Sequence, residues 1–488
     1  MGFDFDSATR RELGYKLIDC IDDYFSSLDE RPVQLPAAER TFGSLADRMP
    51  EFGDSADAVL NDACRELVDK GFHVPSANYF GLMNPTPTYM AVLAEAMVAA
   101  LNPQLASLAR SQLASKVEAE TVRWIGERVG WSGAFDGTFT SGGNEANFSA
   151  LALALAWKFP HAIEDGVVAI GAQPLLYASA EAHHSLDKSA GLLGLGRRAL
   201  RRVPVNARVQ MDPAELERAV QCDVDAGHKP FCVIATVGTT NSGAVDDLTA
   251  IAEVCARHNL WLHVDGAYGA ALIFSNRAEH RAIIRGLEQA DSLTIDPHKW
   301  LAMPFAAGVV LTTHPELLQP TFSVPTPYMP KTKAALALVD NFKVSAQWSR
   351  RMNSLKLWLT LRVHGRQAYE ELITKQLGLA HDFAQWVRES ESYALVLDPQ
   401  LTIVNFRLKL PLQRGVTAAQ HEEEISAAHS ALIDAVTDDG NRWISQTVVN
   451  GRSVLRMMII SYLTEQRHVD GLKRALMVAA TKLQATHV

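Results

Sequence analysis

The chain lacks any long apolar run. Its most hydrophobic stretches, Ala91–Leu101 (interrupted by Glu95) and Ala150–Trp157, fall short of the roughly 20 residues a membrane-spanning helix needs and suit buried helices instead. Cys-x-x-Cys pairs are absent too. The five cysteines, Cys20, Cys64, Cys222, Cys232 and Cys255, are odd in number and scattered. That argues against a disulfide framework or a zinc site and suits a reducing cytoplasm. Nor is there a strong excess of one charge. Forty-six Lys and Arg against fifty-five Asp and Glu leave −9 over 488 residues, which disfavours a general nucleic-acid or anionic-membrane binder. The opening Met1-Gly-Phe-Asp-Phe-Asp6 is acidic where a secretory leader is basic and then apolar.

What the chain has is a globular balance, 48% hydrophobic and 21% charged, in a length sufficient for two or three domains. Residues 1–88 read as a helical arm. Ala8–Leu28 carries a helical apolar rhythm through Leu13, Leu17 and Ile21, and prolines at 32, 36, 50, 75, 85 and 87 interrupt the rest of the arm. Such a segment is a poor independent domain and is expected to pack on something else, such as a second subunit. Residues 89–375 alternate strand and helix. Gly137–Thr140, Leu175–Ser179, Phe231–Val237, Leu260–Val264, Ser292–Ile295 and Gly308–Thr312 read as strands, several of them apolar throughout, as strands buried on both faces are. The expected class is α/β, a mostly parallel sheet covered by helices. The proline-broken stretch 314–350 interrupts this pattern and reads as a lid. Residues 376–488 mix strands (Leu401–Leu408, Val454–Ile460) with helices and read as a small α+β domain.

Four segments carry chemistry. In Asp291-Ser-Leu-Thr-Ile-Asp-Pro-His-Lys-Trp300 a strand ends and Lys299 stands at its C-terminal end, where ligand sites of open α/β sheets gather. Apolar neighbours and a nearby cation favour the neutral, nucleophilic amine. Lysines also close strands at surfaces, so this segment alone leaves both readings open. In Leu260-Trp-Leu-His-Val-Asp-Gly-Ala-Tyr268, Asp265 ends a buried strand and needs a partner such as a pyridinium N–H; capping a turn is the other use for it. Phe139-Thr-Ser-Gly-Gly-Asn-Glu-Ala-Asn147 opens an apolar helix with two glycines, either an anion cup for a phosphate or simply a helix start. Ala180-Glu-Ala-His-His-Ser-Leu-Asp-Lys188 offers a histidine to stack on a flat ring, or a helix cap through Ser185.

In this order the segments resemble the group II pyridoxal-5′-phosphate-dependent amino-acid decarboxylases. The likeness is carried by His263-Val-Asp-Gly-Ala-Tyr268, Asp296-Pro-His-Lys-Trp300, Val237-Gly-Thr-Thr240 and Ser354-Leu-Lys-Leu-Trp358, and runs from about residue 70 to the C-terminus. The resemblance implies fold type I: a large sheet domain, a small C-terminal domain and an N-terminal arm clasping a partner in a homodimer. It implies that Lys299 bonds the cofactor, Asp265 faces the pyridine nitrogen, His183 stacks on the ring, Ala267 packs near the opposite face and Thr240 lies near the ring substituents. Gly142, Gly143, Asn144, Ser292 and His298 would hold the phosphate or shape its cup. Arg456 would contact the substrate carboxylate, although it also reads as a surface arginine beside a strand. Tyr79 and Phe80 are expected in a pocket for an aromatic or large hydrophobic side chain, with ordinary core positions as the other reading.

Two departures stand out. Counting back from Ser354 places Asn341, with Phe342 beside it, where the family carries a proton-donating loop tyrosine, and no tyrosine lies between Tyr328 and Tyr369. Either Tyr328 or a histidine such as His183 donates the proton and an amine results, or the carbanion reacts with oxygen and the enzyme is an aldehyde synthase releasing ammonia and hydrogen peroxide. Decarboxylation to the amine is the favoured expectation, ahead of an aminotransferase or a non-catalytic cofactor-binding protein. The second departure is Ser111-Gln-Leu-Ala-Ser-Lys-Val-Glu118, where Gln112 and Lys116 alter a block expected at subunit contacts or the pocket.

Overall fold

A computed structural model describes residues 3–36, 39, 49–326, 338–412 and 414–486. Seven strands form the main sheet: β1 (Asp136–Thr140), β2 (Pro174–Ser179), β3 (Leu200–Val203), β4 (Lys229–Thr236), β5 (Trp261–Asp265), β6 (Ser292–Ile295) and β7 (Gly308–Thr312). Their order is β1-β7-β6-β5-β4-β2-β3, and β7 alone runs against the other six. The mostly parallel α/β expectation therefore holds. β4 and β5 are buried along almost their whole length because helices cover both faces, which is why they read as unbroken apolar runs.

The helices preceding the sheet are α1 (Ser7–Ser27), α2 (Ala56–Lys70), α3 (Tyr89–Leu101) and α4 (Leu108–Val129). Asp6 caps α1 by accepting from the Thr9 N–H at 2.8 Å. Neither α1 nor α2 buries a single residue in the lone chain, and Tyr15, Leu17, Ile18, Val59 and Leu67 are exposed. α5 (Gly143–Lys158) starts at the C-terminal end of β1 and lies across the sheet, with ten of its residues buried.

A long helix, Ser354–Glu389, is bent where Gly365 takes φ +72°. It packs beside α3 and α4 and reaches the second sheet, so the expected boundary at 375/376 falls inside one continuous element. That sheet is antiparallel, in the order β10-β11-β9-β8, from β8 (Tyr393–Leu395), β9 (Ile403–Leu408), β10 (Ser445–Val449) and β11 (Arg452–Met458). Helices Ala418–Thr437 and Gln466–Thr486 pack with it. The stretch expected to act as a lid, 314–350, lies partly outside the described residues. Among the described residues no helix is long and apolar enough to cross a membrane.

Candidate active site

The C-terminal ends of β1, β4, β5 and β6 converge on a cavity of about 360 Å³. Lys299 and His298 arrive on the turn after β6, Asp265 ends β5, and Thr240 follows β4. Gly142, Gly143 and Asn144 come from the start of α5, and His183 from the turn before helix Ser185–Leu192. These eight residues, together with Ala267, line one wall or another of the cavity. Met83, Glu145, Asn147, Thr236, Tyr268 and Asp296 complete much of the lining.

β-strand periodicity explains the most ordered part. Trp261, His263 and Asp265 alternate onto one face of β5, and the parallel register sets Ser292 of β6 directly opposite His263. Four hydrogen bonds then run in one direction. The Trp261 indole N–H donates to Ser292 Oγ at 2.8 Å. The Ser292 hydroxyl donates to His263 Nδ1 at 2.8 Å. His263 Nε2–H donates to Asn147 Oδ1 at 3.0 Å. Finally, the Asn147 amide donates to Asp265 Oδ2 at 2.8 Å. The other carboxylate oxygen, Oδ1, accepts from the Ala267 N–H at 3.2 Å. Complete burial pushes the His263 imidazole down to about 4, so it stays neutral and keeps this donor–acceptor order.

On the opposite side, Lys299 Nζ lies 3.1 Å from Asp296 Oδ2, and His298 Nε2 lies 3.6 Å from the same oxygen. The Ala307 N–H donates to His298 Nδ1 at 2.9 Å, which places the imidazole proton on Nε2, toward Asp296. Burial lowers His298 to about 4. Burial also lowers His183, whose Nδ1 is engaged by the Ser185 backbone N–H and hydroxyl at 3.1 and 2.8 Å.

The turn opening α5 leaves no room for side chains. A Cβ at Gly142 would lie 2.9 Å from His298 Cε1, and one at Gly143 would lie 2.8 Å from Asp296 Oδ2. Backbone therefore faces the cavity here, and by helix geometry the first-turn N–H groups of Gly143 and Asn144 have no partner within the helix. Glu145 Oε2 closes the turn by accepting from the Ser141 N–H at 2.8 Å and hydroxyl at 2.7 Å, and from Gln347 Nε2 at 2.6 Å.

Four expected site residues lie elsewhere. Ser292 is at the far end of β6 from the glycine turn, where its hydroxyl bonds His263 and the Trp261 indole. Tyr79 is buried, stacked on Trp443 with ring centroids 5.4 Å apart, and its hydroxyl accepts from the Leu82 N–H. Phe80 is fully buried in the core of the second sheet. Arg456 sits behind the cavity wall, donating to the Thr240 carbonyl at 2.8 Å and to Ser445 Oγ at 3.0 Å. Tyr328 lies outside the described residues. Asn341, set against the family's loop tyrosine, donates to Ser115 Oγ at 3.1 Å, and Phe342 beside it is buried.

Asn147, His263, Asp296 and Glu145 were missed as site residues. The alternation Trp-Leu-His-Val-Asp was a readable signal for His263, and a buried-side amide among the polar residues that open an otherwise apolar helix was one for Asn147. The Ser354-Leu-Lys-Leu-Trp358 block has a structural task. The buried Lys356 ammonium donates to Glu95 Oε1 at 2.6 Å and to the Pro304 and Ala306 carbonyls at 3.0 and 2.9 Å, pinning the segment that follows Lys299.

An amine and a carboxylate converging with a backbone anion cup at the strand ends of a doubly covered sheet define an enzyme that works through a small phosphorylated cofactor. The chain belongs to the pyridoxal-dependent decarboxylases, with residues 38–409 matching the pyridoxal-dependent decarboxylase conserved domain. It is 30% identical over 453 residues to an aromatic-L-amino-acid decarboxylase of Bacillus atrophaeus, over 92% of this chain and 91% of that one. It is 28% identical over 473 residues to a phenylacetaldehyde synthase of Arabidopsis thaliana, over 95% and 94%. The structure of Oryza sativa TDC with PLP and tryptamine superposes with a TM-score of 0.90 at 26% identity, over 99% of this chain and 100% of that chain. The fold is accordingly type I, the activity amino-acid decarboxylation, and the cofactor pyridoxal 5′-phosphate. The cavity fits that group: the side-chain-free turn at Gly142 and Gly143 offers backbone to a phosphate, and Asp265 presents a fixed carboxylate.

Proposed function

We propose that the enzyme converts an aromatic or large hydrophobic L-amino acid to the corresponding amine and CO₂. The observation that carries the substrate class is the charge of the cavity wall. Among the described lining residues Lys299 is the sole lysine or arginine, while Glu145, Asp265 and Asp296 are acids. Burial lowers both His183 and His298. An acidic substrate side chain would therefore face carboxylates with no cation left over, whereas Met83, Ala267 and Tyr268 offer apolar and aromatic surface. The aromatic-L-amino-acid decarboxylase among the relatives agrees with this reading.

In this reading Lys299 bonds the cofactor and Asp265 faces the pyridine nitrogen. His183, Ala267 and Thr240, which line the cavity, would pack around the ring. The α5 turn and His298 hold the phosphate. Bound there, pyridoxal 5′-phosphate supplies an electron-accepting ring for the pair left behind when CO₂ departs. Asp265 would hold its carboxylate toward the ring nitrogen, oriented by the donors behind it. Arg456 fixes Thr240 from behind rather than holding the substrate carboxylate.

The proton that completes the amine would come from Tyr328, which lies outside the described residues, or from His183, since Asn341 stands at the loop tyrosine's place and donates to Ser115 Oγ. The competing reaction consumes O₂ and water and releases aldehyde, CO₂, ammonia and peroxide; the phenylacetaldehyde synthase among the relatives is the observation in its favour. Incubation with L-tryptophan, L-tyrosine and L-phenylalanine under an oxygen electrode separates the two. The expected result is one amine per CO₂ with no oxygen uptake, and a switch toward aldehyde and peroxide in Tyr328→Phe. Stoichiometric peroxide from the unaltered protein would sink the amine reading.

The unburied faces of α1 and α2 support a homodimer in which the arm clasps the partner. Sedimentation equilibrium should return twice the 53.4 kDa chain mass; a monomer at micromolar concentration would contradict it. All five cysteines are free, which agrees with a reducing, cytoplasmic setting.

A further inference from the structure

Asp296 has no task in that reading, yet it is among the most constrained acids in the molecule. It is 2% exposed. Its Oδ2 meets Lys299 Nζ at 3.1 Å and faces the His298 Nε2–H at 3.6 Å, while Oδ1 has no hydrogen-bond partner among the described residues. The carboxylate lies beside the glycine turn, where a Cβ added at Gly143 would come within 2.8 Å of Oδ2. A buried acid with a vacant oxygen is costly unless a cation holds it, and Lys299 is that cation.

We propose that Asp296 is the counter-ion of the Lys299 ammonium, a positioning residue that holds the lysine and its proton whenever the Lys299 nitrogen is not bonded to cofactor. The proposal rests on the reading that Lys299 is the attachment residue. When substrate enters, its nitrogen forms the bond to the aldehyde carbon that the Lys299 nitrogen gives up. The proton lost by the substrate ammonium is then carried on Lys299 as an ammonium. Among the described acids that line the cavity, only Asp296 lies within ion-pair distance of Lys299 Nζ. Asp265, ending β5, is occupied by Asn147 and the Ala267 N–H. Glu145, on α5, is occupied by Ser141 and Gln347 through Oε2. Burial lowers the imidazoles that share the cavity, His183 and His298, and Lys356 beyond His298 is spent on Glu95 and two carbonyls. The pair also keeps the displaced lysine from swinging into the space the substrate needs.

The test uses the cofactor-free protein and an acetylating N-hydroxysuccinimide ester, with the Lys299 peptide followed by mass spectrometry between pH 7 and 11. The isosteric Asp296→Asn protein should be acetylated at Lys299 several-fold faster than wild type near pH 7, since the carboxylate 3.1 Å from Nζ no longer pairs with the ammonium. The ratio should fall toward one at the alkaline end of the series, where an uncharged amine has nothing to pair with the carboxylate. Equal rates at pH 7 overturn the proposal. So does a ratio that stays constant with pH, because that would report access rather than charge. Asp296→Ser, which removes the charge with less bulk, must show the same pH-dependent ratio if the pair is electrostatic. Separately, borohydride should fix pyridoxal phosphate to Lys299 in the wild-type protein. Fixation elsewhere removes the attachment reading, and the proposal with it, whatever the acetylation rates.

Discussion

Asp265→Asn should leave a folded protein that still takes up cofactor but has lost roughly 10³-fold in kcat, the order expected when a preorganised charge facing the reacting centre is removed. Shape is nearly conserved, so the loss is electrostatic. In the native site Asp265 receives donors on both oxygens, from Asn147 at 2.8 Å and from the Ala267 N–H at 3.2 Å. An asparagine amide would turn an N–H toward one of those donors and weaken the chain behind it. Asn147→Leu leaves the charge and removes only its orientation, so it should cost less, about 10–100-fold, as residues that orient a functional group do. Steady-state turnover on aromatic amino acids, with cofactor content checked by absorbance, reads both. An Asp265→Asn enzyme within tenfold of wild type would remove Asp265 from the chemistry.

The second large effect falls on stability. Arg350→Met should destabilise the protein by about 3–5 kcal/mol, the usual consequence of stranding one member of a buried ion pair. Arg350 is 4% exposed and Glu118 3%. The guanidinium donates to Glu118 Oε1 at 2.6 Å, to Thr138 Oγ1 at 2.7 Å and to the Phe139 carbonyl at 2.6 Å. Without it, Glu118 Oε1 keeps only a 3.4 Å contact from the Phe139 N–H, and Oε2 has no partner among the described residues even now. Because Thr138 and Phe139 belong to β1, which leads directly into the glycine turn, the same change should weaken cofactor retention. Urea titration measures the stability loss. The double variant Glu118→Leu/Arg350→Met should recover much of it, since no buried charge then remains unpaired. A single variant with an unshifted denaturation midpoint would show that the pair contributes nothing.

The main sheet was legible because its central strands are covered on both faces and so are apolar without interruption; Ser292–Ile295 is an example in which expectation and structure coincide residue for residue. β3 was not. Leu-Arg-Arg-Val reads as polar, but it is an edge strand whose arginines turn outward to Asp223 and Asp187. β10 was passed over as well, although Asn450-Gly451, with φ of +50° and +71°, is a strong local signal for the hairpin to β11. In the site, Lys299 and Asp265 could be found because strand ends are where chemistry sits in such sheets. Tyr79 and Phe80 were misplaced because the residue that covers them comes from far along the chain: Trp443 stacks on the first, and its carbonyl accepts from the N–H of the second at 2.8 Å. Local pattern says that two aromatics will be buried, but not by what. Asp296 is the same lesson at shorter range, since only the folded turn shows that its neighbours leave one oxygen unpaired.

The 2.8 Å approach of a would-be Gly143 Cβ to Asp296 ties the two positions together in mutational history. Alanine at 143 collides while aspartate remains at 296, and trimming 296 first gives up the contact to Lys299. Each position therefore sets what the other can hold, so Gly143→Ala should be better tolerated once 296 has been trimmed than with the aspartate in place.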